Sequence, residues 1–444
     1  MTVDRRQFLS AAAASAASLA APVGALGLDA THLGLRPDSP DDQTQALQRA
    51  LAQAAGAPLA LMPGTYRLGA IELPSRAKLV GVRGATRLLF TGGGSSLLSA
   101  RGTEHITLSG LVLDGAGKPL PERRGLVHLT DSRAVRITDC EISGSSRSGL
   151  WFESVSGEVS ATTITAVAGA AIISFDGRGL LMTGNTLRGA GTNGIEIVRT
   201  SRGDDGTLVV DNRIEDIEAR PGGSGQYGNG VNAFRAGNVI VRGNRIRNCA
   251  FSAVRGNSAS NIQIVGNSVS EVGEVALYSE FAFAGAVIAN NTVDGAALGV
   301  SVTNFNQGGR LAVVQGNLIR NLLPRRPAGT DPNDGAGIGI YVEADTAVTG
   351  NVVESAPNAG IKLGWGRHLR DVTVTGNVVR DADIGIAVSV AEGAGMAVIS
   401  DNLISGARRG AILGMDYKTV VTGDLSRDDA KRYAQLAISG NRVR

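Results

Sequence analysis

The sequence predicts an all-β solenoid, a single-stranded parallel β-helix of about 12 coils closed at its N-terminal end by a helical cap. Three observations point there. The stretch "VIVRGNRIRNCAFSAVRGNSASNIQIVGNSV", residues 239–269, states one phrase twice, and the apolar–x–Gly–Asn–x–apolar signature recurs along the chain. Its asparagines are Asn185, Asn212, Asn244, Asn267, Asn291, Asn317, Asn351, Asn377, Asn402 and Asn441, mostly 23 to 27 residues apart, with Cys140 and Thr162 continuing the series backwards. Second, a shorter phrase lies between signatures ("NGIEIV", "NGVNAF", "LGVSVT", "IGIYVE", "AGIKLG", "IGIAVS"), and both alternate apolar and polar residues at the period of half-buried strands. Third, glycine supplies 61 of 444 residues, roughly twice the usual ~7%. Aromatics are only 4%, so the core must be Val, Ile, Leu and Ala. Leucine-rich spacing and a 3.6-residue helical period are both missing.

From the N-terminus, "VDRRQFLSAAAASAASLAAP" pairs arginines with Phe8, Leu9 and an Ala-rich run, and residues 1–28 resemble a twin-arginine export signal. The run is too short and weakly apolar for a membrane span. The chain is therefore expected to meet the twin-arginine export machinery and to work in the periplasm or outside the cell. Residues 29–75 are the expected cap. There "SPDDQTQALQRALAQA" reads as an amphipathic helix, N-capped near Ser39, with Leu47, Ala50, Leu51 and Ala54 on one face. Residues 76–444 are the expected β-helix, each coil rising ~4.8 Å above the last. Asparagine tolerates the left-handed turn conformation, the preceding Gly or Asp eases the turn, and stacked amides can bond coil to coil. Coils that run long are expected to carry loops at Arg199–Gly206, Glu218–Asn229, Leu322–Gly337 and Met415–Gln435, the last with a short helix starting near Ser426.

Cys140 and Cys249 fall about four coils apart, too far for a disulfide, and are expected as free, buried thiols. Net charge is +3, and removing residues 1–28 lowers it by one. That excludes the concentrated basic face a nucleic-acid partner needs. The four histidines are scattered without ligand spacing, so a zinc site is not expected. No cofactor is expected. The oxygen-rich loops at Asp204-Asp205 and Asp331–Asp334 are where Ca²⁺ would sit, although such loop acids are more often merely solvated.

"DDQTQALQRALAQA…MPGTYRLGAIELPSRAKLVGVRG" resembles the N-terminal segment of pectate-lyase-like proteins, and the coils over residues 105–444 resemble their right-handed parallel β-helix. With the twin-arginine signal, the chain resembles exported bacterial repeat proteins of unassigned activity. The resemblance implies the right-handed fold. It leaves function open among lyases, hydrolases, epimerases and non-catalytic surface proteins. The set of Asn-Thr-Asp, Asp-Asp and Gly-His-Gly motifs of polygalacturonase-type hydrolases is not present, nor is the Trp-Ile-Asp-His phrase of one pectate lyase group.

Aligning the second phrase on its apolar residue (Ile195, Val231, Val254, Leu277, Val300, Ile340, Ile361, Ile386) yields two outward rows. The first reads Glu196, Asn232, Arg255, Tyr278, Ser301, Tyr341, Lys362, Ala387; the second reads Val198, Phe234, Asn257, Glu280, Thr303, Glu343, Gly364, Ser389. Ionisable groups crowd the middle coils, as splitting or epimerising an acidic polysaccharide would require. In that reading Arg255 pairs with the uronate carboxylate, and Tyr278 or Lys362 moves protons once its pKa is lowered. Glu280 acts as an acid or positions substrate, while Glu196, Asn232, Asn257, Tyr341 and Glu343 bind the carbohydrate polymer. Arg220, Arg325 and Arg326 on the insertions attract the polyanion. A non-catalytic glycan-binding face and a plain envelope scaffold are the alternatives, because exposed strands always carry mixed polar rows.

Overall fold

The computed structural model describes residues 27–223, 225–331, 334–427 and 432–444. The expected export signal falls on residues 1–28, and all but its last two residues lie outside the described residues. One coil runs Ile240–Arg242, Arg245–Cys249, Val254–Asn257, and the next runs Ile262–Val265, Ser268–Val272, Val275–Glu280. Each strand pairs in parallel with its counterpart above: Val241 with Ile264, Ile246 with Val269, Val254 with Leu277. The strands that precede the Asn turn form a 16-stranded sheet. The strands that follow it form two further faces, joined into one bent 28-stranded sheet. The solenoid makes about 14 turns rather than 12. The extra turns lie at the N-terminal end, where Leu59 already pairs with Leu79 and Tyr66 with Leu88. Those coils have no Asn at the turn, so the repeat signature does not mark them.

The interior is a stack of aliphatic columns. Ile195, Val231, Val254, Leu277, Val300, Ile340, Ile361 and Ile386 are fully buried and paired in that order. The Asn ladder stands at the first turn. Asn244 donates from both its backbone N–H and Nδ2 to Asn267 Oδ1, each at 3.0 Å. Asn267 does the same to Asn291, and its Nδ2 also reaches the Val241 carbonyl at 3.0 Å. The chain of bonds continues to Asn441 and starts with Cys140 N–H on Thr162 and Thr162 N–H on Asn185. The left-handed residue is the one before the ladder Asn, not the Asn itself: Gly243 and Gly266 have φ of 67° and 66°. That leaves the Asn backbone free to face inward, where its amide closes the turn. Asn267→Ala would leave the Asn244 N–H unpaired inside the stack and take a bond from the Val241 carbonyl, while Asn244 Nδ2 keeps the Val209 carbonyl at 2.9 Å. Chemical denaturation is expected to show a loss of about 3 kcal/mol, and a loss under about 1 kcal/mol would mean water replaces the rung.

The cap helix spans Thr44–Ala54 and buries Leu47, Ala50, Leu51 and Ala54. It does not start at Ser39. Asp42 and Gln43 are tied to the first coil through Arg67, and Asp42 Oδ1 accepts the Thr44 N–H at 2.9 Å. The Ser39 hydroxyl instead meets the Asp41 N–H at 3.3 Å, one turn too early. The Met415–Gln435 insertion opens with a strand, Thr419–Asp424, folded antiparallel on Gly410–Asp416. Of the short helix expected over 425–435, residues 428–431 lie outside the described residues, and 425–427, 434 and 435 form turns. The 199–206 insertion extends a strand past a bulge between Val198 and Gly203. Both cysteines are free and buried, and burial pushes the Cys140 thiol up to about 11. No helix among the described residues is long and apolar enough to cross a membrane.

Candidate functional site

The two outward rows stand on the third face in the expected register. Glu196, Asn232, Arg255, Tyr278, Ser301, Tyr341, Lys362 and Ala387 pair one above the other. Phe234, Asn257 and Glu280 follow two residues on. The side chains then sort into three groups.

The middle group is a buried ionic wall. Arg255 Nε bonds Glu280 Oε1 at 2.6 Å, and its Nη1 stands 3.5 Å from Glu274. Glu274 also takes Arg326 Nη1 at 2.9 Å and the Ser252 hydroxyl at 3.2 Å. The side chains of Arg255, Arg326 and Glu274 keep only 10%, 8% and 3% of their exposure. Arg255 is thus spent inside the protein, not offered to a substrate carboxylate as its position in the row suggested. Glu280 is its counter-ion, and Asn257 Nδ2 adds a bond to the same oxygen at 3.0 Å. Tyr278 lies beneath the guanidinium, 5.3 Å from the ring centre. Burial, with Glu280 and Glu274 nearby, drives its phenol upward, opposite to what a proton carrier needs. Arg326 is no polyanion attractor either; with Glu274, Asp334 at 3.4 Å and the Gly335 carbonyl at 2.8 Å, it pins the 322–337 insertion to the groove. Arg220 pairs with Glu218 at 2.6 Å, and Arg325 stays exposed. Glu274 had no signal in the sequence, because it sits in a turn just before an apolar strand.

On the C-terminal side of the wall is a cleft of about 400 Å³, lined by Tyr341, Glu343, Lys362, Trp365, His368 and Tyr417 among others. The Lys362 ammonium rests on rings rather than in an ion pair, 4.4 Å from the Trp365 centroid and 4.9 Å from that of Tyr341. Burial lowers its pKa to about 8, against the pull of Glu343. The Tyr341 hydroxyl donates to Glu343 Oε1 at 3.0 Å, and Glu343 Oε2 takes the Phe305 N–H at 2.8 Å. Burial raises both groups. Trp365 and His368 come from a tight turn, and Tyr417 from the C-terminal hairpin, where its ring meets Trp365 edge-on at 5.3 Å. These three carried no repeat signal and were not anticipated.

On the N-terminal side, Glu196 and Asn232 line a second pocket. Of the loop acids considered for Ca²⁺, Asp204 takes Asn238 Nδ2 at 2.8 Å and Asp334 pairs with Arg326, while Asp205 Oδ1 takes the Thr207 hydroxyl and its Oδ2 is buried without a hydrogen-bond partner. No group of three His, Cys, Asp or Glu side chains among the described residues is placed to hold a metal. A hollow of about 650 Å³ on the first face, around Arg76, Lys78 and Arg136, is larger but lined by no buried ionisable side chain.

The family model described as "right handed beta helix region" matches residues 97–225 and 202–379. A comparison with curated proteins gives no match. Among solved structures, the N-terminal fragment of gene product 12 from bacteriophage phi29 is 16% identical with a TM-score of 0.57, over 94% of this chain and 71% of that one. The pre-mature form of that protein gives 16% and 0.53, over 89% and 58%. The A-module of mannuronan C-5 epimerase AlgE6 from Azotobacter vinelandii gives 13% and 0.47, over 94% and 99%. At these identities the likeness is one of fold.

Proposed function

Because the chain belongs to the right-handed β-helix family, we propose that it is an exported protein acting on an acidic polysaccharide laid along the third face, with Lys362 as its proton carrier. One observation carries this reading: a lysine with a pKa near 8 rests on aromatic rings in an open cleft, beside a hydrogen-bonded Tyr341–Glu343 pair. A general base works best when its pKa is near the working pH, and desolvation is how a lysine gets there. A pyranose ring packs on Trp365 and Tyr417. Asn304 and Asn306 line the same cleft; Asn304 Oδ1 is used by the Phe281 N–H at 3.2 Å, which keeps its amide donors for the uronate carboxylate. The Lys362 amine takes the C5 proton, the electron pair forms the C4–C5 double bond, and the C4–O4 bond breaks. The resulting ammonium returns the proton to the departing oxygen. Glu343 and Tyr341 hold the ring on which Lys362 rests and so position it. Epimerisation shares the first step and differs in delivering a proton to the opposite face of C5.

The base must be deprotonated to act. Activity on polyuronates, read as unsaturated-product absorbance or as solvent-proton exchange at C5, is expected to rise with pH through about 8. A flat profile between roughly pH 6 and 10 would remove Lys362 from the proton transfer. Glycan binding without turnover is the second reading. It is favoured by Arg255, whose guanidinium is buried against Glu280 and Glu274 and not offered to a ligand carboxylate. Retention on an acidic polysaccharide with no product would establish it.

A further inference from the structure

Six rungs from Lys362 down the same row, roughly 30 Å at the spacing of stacked strands, Glu196 marks a pocket of different chemistry. It encloses about 430 Å³ between Phe175, Phe234, Tyr227 and Phe281. Asn232 is buried on its wall; its Nδ2 donates to the Gln226 carbonyl at 3.2 Å, while its Oδ1 is buried with no partner. Such an acceptor awaits a donor. Glu196 Oε2 takes Asn193 Nδ2 at 3.2 Å, and Asn193 is locked by two bonds from Asn229, at 3.0 and 3.1 Å. Burial raises the Glu196 carboxyl. Arg255, in the pocket lining, pairs with Glu280 through Nε and faces Glu274, although its Nη1 is buried without a hydrogen bond. Arg235 and Arg123 lie over the Phe234 and Phe175 rings, 4.7 and 5.5 Å from their centres, and Arg235 Nη1 is held by the Thr200 carbonyl. On the wall formed by Asn232 and Glu196 the pocket offers oxygen acceptors beside flat rings, which suit the hydroxyl donors and apolar face of an uncharged sugar. A carboxylate placed against the Asn232 Oδ1 and Glu196 wall would meet acceptors and lose its hydration. Phe175 is backed on its N-terminal side by the buried Trp151, whose ring lies tilted 5.2 Å away.

We propose that this pocket is a subsite for an uncharged pyranose, so that the polymer recognised is mixed, with neutral units at Phe234 and uronate units at Lys362. The uronate half of that statement rests on the function proposed above. The test is calorimetric binding of three probes to the full chain: cellohexaose, oligogalacturonate and an oligosaccharide of hyaluronan, which alternates uronate with an uncharged sugar. The mixed oligomer is expected to bind more tightly than either homopolymer. Phe234→Ala, at a half-buried position, is expected to weaken cellohexaose and the mixed oligomer roughly tenfold through lost stacking. Oligogalacturonate should change by less than about twofold, as expected for sites this far apart. Asn232→Asp, which adds charge at constant shape, should weaken the two ligands that carry neutral sugar. If Phe234→Ala alters none of the three, or weakens oligogalacturonate equally, the subsite is overturned. Uronate binding that depends on Lys362 without any neutral or mixed binding sinks this inference alone. Phe234-dependent cellohexaose binding with no uronate binding supports the subsite and sinks the uronate reading instead.

Discussion

Lys362→Met is expected to cut turnover of an acidic polysaccharide by roughly a hundred- to ten-thousand-fold, the range for loss of a general base, while making the protein more stable. The two effects share a cause. The folded protein holds Lys362 at a pKa of about 8, against 10.5 for an ordinary lysine. Between those values the unfolded chain binds the proton and the folded one does not, so stability rises as pH climbs from 8 to 10.5. Below 8 the burial cost is present in full, on the order of 3 kcal/mol. Methionine fills similar space on Trp365 and Tyr341 with no charge to desolvate. Denaturation at pH 7 should show most of that gain, and at pH 10.5 the variant and the parent should converge. Equal stabilities at pH 7 would mean that the ammonium is solvated in the cleft and the pKa is near that of a free lysine.

Glu274→Gln is expected to be the most damaging single change on the third face. It leaves Arg255 and Arg326 buried with a shared counter-ion removed, a situation that costs about 3–5 kcal/mol. The loss should be local, because each coil of a solenoid touches only its neighbours. Hydrogen exchange should open the strand Val275–Glu280 and the 322–337 insertion before the terminal coils. Replacing Arg326 by Gln as well should recover part of the loss, because one of the stranded cations is then gone. A Glu274→Gln variant within about 1 kcal/mol of the parent would show that water reaches the wall and screens it.

The vertical register of this chain could be read with no coordinates at all. Ile195 through Ile386 had to face inward, and a slip of one residue would have turned the whole aliphatic column outward. That constraint placed Glu196, Arg255, Tyr278 and Lys362 on one line, and the ladder from Asn185 to Asn441 followed from the same period. The roles assigned to those side chains fared differently. The row leaves Arg255 free because it shows only the neighbours on the strand, whereas in the fold its charge is answered by Glu280 and by Glu274 in a turn. Glu274 is held in turn by Arg326, 52 residues further on. Trp365, His368 and Tyr417, which close the Lys362 cleft, come from turns outside the repeat. The N-terminal coils escaped the count because their turns carry no Asn, and the cap helix started late because pairing with Arg67 holds Asp42 and Gln43 on the first coil. By itself, then, the sequence determined the period, the stacking and which residues face outward, since burying an alternating apolar column is a local demand repeated in each coil. Only the tertiary structure decided which outward charges cancel and which remain open to a ligand, because electrostatic pairing and desolvation depend on groups that the loops bring in from far along the chain.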